Sequence, residues 1–444
     1  MPTSNKKNRI IVVLVTVLVV IAGIALFKFA LTNPTINRQF NKRIESIKAA
    51  GENVDMLFVG GSRTYRSFDP EIFDETLGLS NSTNMGTPSQ RPVLSYYLLE
   101  DMLEDFTPEY VVLGVSYNGL LYEQTPHTVM FALDRLSIKN RIRCVVDHFG
   151  INKGLLTMTG KSEYKDNFTI GSIKSNVYNK IKYGGTETVT EGPGARTNGY
   201  LGAPEKMPIG GINYRYGKTP SANGLQYMDP KAYEYFDKSV QLCKSKGIKV
   251  ILVSGTCSLM NIFKVLDYQQ YPDYYDEYAE KNGIEYYNLN YLKNREQDYT
   301  DDMFVDYLHL NYYGSQKVSK TFAQIIKDRE EGKDVSHYFY KNLGELRQDV
   351  HRIPGCAVKV TVYGNTVNVY GDCVCNPWVT PEYRVLVSNK TASGEYGKFK
   401  QVAGWTTDRN FAIAASKLPA AGTIKLEVRT GAGDTNVAYS VKKY

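Results

Sequence analysis

Two short segments, far apart in the chain, carry residue types that could do chemistry together. The first is Leu57-Phe58-Val59 followed by Gly60-Gly61-Ser62-Arg63, an apolar run ending in two glycines and a serine. The second is Asp306-Tyr307-Leu308-His309-Leu310-Asn311, where a carboxylate and an imidazole stand three residues apart. A serine hydroxyl is a weak nucleophile until a base takes its proton, and an imidazole is a good base when a carboxylate holds its tautomer. Ser62, His309 and Asp306 fill these three roles, so the expected chemistry is acyl transfer through a serine ester. The oxyanion of such a reaction needs donors. Those expected are the backbone N–H groups of Ser62 and Gly86, with a side chain from the third loop, Ser116 or Asn118. His127, His148, His337 and His351 lack such surroundings and read as structural. No His/Asp/Glu group has ligand spacing and Cys373-Val374-Cys375 is not a CxxC, so no metal and no other cofactor is expected.

In an open α/β sheet, reactive residues collect at the carboxyl ends of the strands. The pattern along the chain predicts such a sheet. Residues 55–59, 110–115, 249–254 and 284–288 are short apolar runs, as expected of strands covered on both faces. Between them lie helical patterns over 70–77, 92–106, 230–246, 274–282 and 315–329, with Pro70 at a first helical position and Gly78, Gly247 and Gly283 as stops. The predicted fold class is α/β, a doubly wound, mostly parallel sheet. Residues 32–340 are assigned to this domain, with an irregular insertion around 124–227 read as a lid beside the site. Beyond Arg352 the pattern changes to alternating strands over 357–362, 366–370, 384–388, 411–415 and 423–429, which predicts a β-sandwich over 353–444.

Residues 10–27 carry no charge, and with Lys28 snorkelling the run 10–31 is long enough to span a bilayer. Lys6, Lys7 and Arg9 precede it, so residues 1–9 are expected in the cytoplasm and everything after residue 32 outside. The run ends in Ala25-Leu26-Phe27-Lys28, a poor cleavage site, so an uncleaved single-pass membrane anchor is expected. The net charge of +7 comes without a Lys/Arg run or basic-aromatic motif, so no nucleic-acid partner is expected. Of the 35 tyrosines, twelve cluster from Tyr268 to Tyr313; they suit glycan contact but read first as half-buried structural residues. Of the six cysteines, Cys356 could pair with Cys373 or Cys375 outside the cell, or the thiols could equally stay free and buried.

Taken in order, these segments resemble the SGNH/GDSL hydrolase superfamily over roughly residues 50–330. Gly60-Gly61-Ser62-Arg63 stands where that family has its nucleophile block. Asn84-Met85-Gly86 resembles the second block, Val111-Val112-Leu113-Gly114-Val115-Ser116 the third, and Asp306-Tyr307-Leu308-His309 the fifth. The family's Asp before the serine is missing, and Ser116 stands where the third block has Asn, with Asn118 two residues on. With the anchor, these departures make the chain resemble the branch containing the D-alanylation protein of teichoic acid synthesis and the exopolysaccharide O-acetyltransferases. That resemblance implies an extracytoplasmic O-acyltransferase or carbohydrate esterase. Its partners would be a cell-surface polysaccharide or teichoic-acid-like polymer and a membrane-bound O-acyltransferase. The alternative from another class is a catalytically inactive adaptor that binds glycan or a membrane partner.

Overall fold

The computed structural model describes residues 3–31, 36–117, 119–121, 125–158, 170–182, 198–207, 225–265, 267–389 and 397–444. Five parallel strands, β1 (Met56–Val59), β2 (Thr83–Asn84), β3 (Tyr110–Val115), β4 (Lys249–Ser254) and β5 (Glu285–Asn288), form one sheet in the order β2-β1-β3-β4-β5. That is the flavodoxin-like order, in which the chain reverses direction across the sheet between β1 and β3. The strands form here because their apolar residues serve two cores in alternation. Leu57, Val59, Val111, Leu113, Val250 and Leu252 face one core. Met56, Phe58, Tyr110, Val112, Ile251 and Val253 face the other.

Helices Pro92–Asp105, Pro230–Ser245 and Gln270–Asn282 cover the first face. Helices Pro70–Leu77 and Tyr312–Glu330 cover the second. The closing helix begins earlier than its apolar pattern does, at Tyr312, because the Asn311 side chain caps it by accepting the Gly314 N–H at 3.0 Å.

Three expectations can be compared with the structure. The insertion over 124–227 is not irregular throughout: it holds helices Pro126–Leu133, Ile138–Met158 and Ile170–Lys182. Gly150 (φ 74°, ψ 170°) turns the second of these and breaks the periodicity that would have marked it. Most of the Gly- and Pro-rich stretch 191–224 lies outside the described residues. Second, among the described residues no helix is long and apolar enough to cross a membrane. The helix Thr3–Leu31 is 29 residues long. Third, all six cysteines are free, although Cys356 and Cys373 face each other in register.

Beyond residue 352 the described residues form seven antiparallel strands. β6 (Gly355–Tyr363), β7 (Thr366–Val374) and β10 (Asn410–Ala414) make one sheet, ordered β10-β7-β6. β8 (Glu382–Asn389), β9 (Lys400–Thr406), β11 (Gly422–Arg429) and β12 (Ala438–Lys443) make the other, ordered β12-β11-β8-β9. Val358, Val369, Val385, Ile424 and Leu426 bury a common core between the two. β9 and β12 carry weaker alternation and went unpredicted. A buried ion pair, Arg352 to Asp301 at 3.0 Å, ties this region to the α/β sheet.

Candidate active site

The Gly60-Gly61-Ser62 segment leaves the carboxyl end of β1 at the switch point and turns directly into the helix Ser62–Ser67. A Cβ on Gly60 would stand 3.1 Å from the Gly114 carbonyl oxygen and 2.3 Å from Thr64 Oγ1, so a larger residue would push β1 away from β3. Phe58, Phe68, Phe73 and Phe322 pack together beneath the helix, with ring centroids of contacting pairs 4.7 Å (Phe58–Phe73) to 6.2 Å (Phe68–Phe73) apart. This apolar footing holds the nucleophile candidate in place.

The second segment is a short hairpin. Phe304 and Leu310 pair across it, and the Val305 N–H donates to the His309 carbonyl at 3.0 Å. Ser258, just after β4, supports its tip by donating from both N–H and Oγ to the Tyr307 carbonyl, at 3.2 and 3.0 Å. The result is that Ser62 Oγ lies 2.7 Å from His309 Nε2. On the far side of the ring, Nδ1 is 3.0 and 2.9 Å from the two Asp306 oxygens. With Nδ1 donating to the carboxylate, Nε2 is left to accept the serine proton.

Asp306 also accepts the N–H groups of Leu308 (2.7 Å) and His309 (3.0 Å). Its partial burial by itself would raise its pKa. The hydrogen bonds from the ring and the two backbone N–H groups, with the ring's charge, outweigh that and hold it below the usual carboxylate value. It stays ionised at neutral pH, as a group that orients an imidazole must.

Ser62 and His309 open onto a cleft of about 250 Å³. Ser116 lines it as well, while Asn118 lies outside the described residues. Gly86 is placed elsewhere: its N–H donates to Asn84 Oδ1 at 3.0 Å, and it is absent from the described cleft wall. The Asn84-Met85-Gly86 segment instead braces the helix Ser62–Ser67, with Asn84 Nδ2 donating to the Thr64 and Phe68 carbonyls at 3.1 and 2.9 Å.

Ser89 stands at the cleft wall instead. It is a non-glycine residue at φ 53°, third in the turn Thr87-Pro88-Ser89-Gln90, which the Gln90 N–H closes onto the Thr87 carbonyl at 3.2 Å. Neither its N–H nor its hydroxyl has a partner among the described residues. Proline at the second turn position was the available signal for a turn here; serine at the third gives none for its positive φ.

A second feature had no such signal. Residues 198–207 form a strap that stitches both segments together. Asn198 accepts from the Asn84 N–H (2.7 Å), Leu201 donates to Tyr65 (3.0 Å), and Ala203 accepts from Tyr312 (2.7 Å). At Gly199 (φ 90°) a Cβ would lie 1.8 Å from the Asn84 carbonyl oxygen, so only glycine fits. Arg63 turns its guanidinium onto the Tyr117 ring, 5.0 Å from the centroid. Tyr268, Tyr271, Tyr275, Tyr278 and Tyr291 are all buried, in keeping with their structural reading.

No family model and no curated protein matches the chain. Solved structures aligned with it include a putative acylhydrolase from Bacteroides fragilis, at 13% identity and TM-score 0.31, covering 65% of this chain and 96% of that one. A GDSL-like lipase from Bacteroides thetaiotaomicron aligns at 15% identity and TM-score 0.27, covering 64% and 97%. A two-domain esterase active on acetylated mannans aligns at 11% identity and TM-score 0.27, covering 90% and 94%. Likeness at this level carries neither fold nor function over to this chain, and the functional reading rests on the site itself.

Proposed function

We propose that the chain is a serine acyl-ester enzyme of the SGNH/GDSL kind, with Ser62 as nucleophile, His309 as general base and acid, and Asp306 as the orienting carboxylate. The observation that carries this is the single chain of contacts Ser62 Oγ to His309 Nε2 to Asp306. Ser62 Oγ attacks the acyl carbonyl carbon and its proton passes to Nε2. The tetrahedral intermediate then expels an alkoxide, which takes that proton and leaves as the alcohol. A second hydroxyl, from water or an acceptor, repeats the sequence in reverse and frees Ser62. The N–H of Ser62, first in its helix and without an intrahelical partner, and the N–H of Ser89 meet the oxyanion. Ser116 supplies the third donor.

In this reading the acceptor is a cell-surface polysaccharide or teichoic-acid-like polymer, and the Thr3–Leu31 helix anchors the enzyme with residues after 32 outside the cell. A membrane-bound O-acyltransferase supplies the acyl group when the reaction runs as transfer; water as acceptor makes it an esterase. The uncharged run 10–27 and the positive residues before it support the anchor.

The test is labelling of the full-length protein with a fluorophosphonate. Labelling of the wild type and not of Ser62→Ala is expected. Absence of label under every condition would leave the inactive adaptor as the reading.

A further inference from the structure

Exposed aliphatic side chains are not spread evenly over this protein. Outside the helix Thr3–Leu31, the described residues include seven of them. Six, Ile138, Ile142, Ile151, Leu156, Ile170 and Ile181, stand on the insertion helices Ile138–Met158 and Ile170–Lys182. A lone exposed isoleucine means little, but a whole face of apolar residues marks an interaction surface.

The second of these helices makes such a face. Ile170, Ile173, Val177 and Ile181 recur at steps of three and four, so they share one side of the helix, and Tyr178 borders it. In a helix that covers a core this side is hidden. Here Ile170 is 76% exposed, Ile181 73% and Tyr178 56%, while Ile173 and Val177 are half-buried. The helix packs against the helix Thr3–Leu31, whose own apolar residues from Ile11 to Ile21 are exposed as well. An open apolar face beside an open apolar helix fits hydrocarbon as its surroundings. The charges agree. Residues 170–182 carry Lys174, Lys180 and Lys182 and no acidic residue, and residues 138–158 carry four basic residues against Asp147 alone. Lys174 is exposed and has no ion-pair partner among the described residues. A lysine stem lies along apolar surface while its ammonium group reaches the level of lipid phosphates.

Resting on the reading of Thr3–Leu31 as a membrane anchor, we infer that the apolar face of the helix Ile170–Lys182 is a second membrane contact, seated among anionic lipids of the same bilayer. The helix is 13 residues long, about 20 Å, and too short to cross about 30 Å of hydrocarbon, so its place is the headgroup boundary. One anchor lets the α/β domain turn about the axis of its helix. A second lipid contact fixes the direction in which Ser62 and His309 open.

The experiment is indole fluorescence of the full-length protein in vesicles of phosphatidylglycerol and phosphatidylcholine, the latter brominated on its acyl chains. Native Trp378 and Trp405 both stand beyond residue 352 and set the background. Val19→Trp reports the anchor, and Ile170→Trp and Ile181→Trp report the face. All three positions are exposed, so the added ring displaces no core. Loss of emission to bromine, above that of the unsubstituted protein, is expected in all three. At 170 and 181 it should be greatest with bromine close to the headgroup, and at 19 with bromine near the chain end. Loss at 19 with none at 170 or 181 overturns the lipid contact alone and gives that face to a protein partner. No loss at 19 overturns the anchor reading and the second contact together.

Discussion

The α/β region and the β region beyond residue 352 use similar apolar strands to different ends. In the first, β1, β3 and β4 run parallel, so their carboxyl ends and the loops that follow meet at one edge of the sheet. Ser62 after β1, Ser116 after β3 and Ser258 after β4 all reach the neighbourhood of His309 for that reason. In the second, neighbouring strands are antiparallel, so successive connections alternate between two ends and disperse their side chains. Parallel order, with a reversal of direction between β1 and β3, concentrates chemistry; antiparallel order builds a stable body attached to it.

Several measurements would break or sharpen that contrast. The largest expected effect is at the edge where the strands converge. His309→Ala should lower turnover on a p-nitrophenyl ester by on the order of a thousandfold or more with an unchanged circular dichroism spectrum. Activity that survives would place the base elsewhere.

Next is the join between the regions. Arg352→Ala leaves the buried Asp301 carboxylate without its 3.0 Å partner. It should cost about 3–5 kcal/mol in denaturant unfolding. Asp301 accepts that guanidinium five residues before Asp306, so a loss of stability without any loss of activity would show that the hairpin stands without the β region.

Acid separates the two regions in a third way. His148, stacked on Phe149 at 5.1 Å, has its pKa pushed down to about 4, chiefly by burial and then by Lys231. Its unfolded value is near 6.5, so the unfolded chain binds the extra proton first as pH falls. Stability is full above about 6.5 and is lost progressively toward 4, by at most about 3 kcal/mol from this group. The residues from 353 onward include no histidine, so melting of the β region should not share this dependence. His148→Phe should flatten the curve, as followed by Tm against pH; an unchanged slope would mean that other groups set it.

The smallest effect is at the turn beside Ser62. Ser89 occupies the left-handed region at φ 53°, where an L-residue with a Cβ pays about 1 kcal/mol that glycine does not. Ser89→Gly should raise stability by roughly that amount, read as a Tm increase of a few degrees. A decrease would mean that the serine hydroxyl holds the turn.

How far the fold and site can be read in the chain depends on how local the cause is. β3 and β4 are apolar at every position that meets a core, so their burial on both faces is visible in sequence. Pro230 and Gly247 bracket their helix within a residue because each acts through its own backbone dihedrals. The helix Ile138–Met158 was missed because Gly150 interrupts its period, and β9 and β12 because their inner residues are small or widely spaced. Gly86 was expected to face the oxyanion from its order alone, yet Asn84 takes its N–H and leaves Ser89 at the cleft. That exchange depends on how one turn closes over another, which no spacing encodes.

The amino-acid order alone established that a serine after an apolar strand and an Asp-x-x-His before a closing helix belong to one parallel sheet, because periodicity and stop residues act within a few positions. It also established the change of character after Arg352. Only tertiary structure decided the rest: the 2.7 Å approach of Ser62 to His309, the strap at 198–207 that locks both segments, and the cleft onto which they open. Those depend on contacts between residues distant in the chain, and such contacts exist only once the two cores have packed.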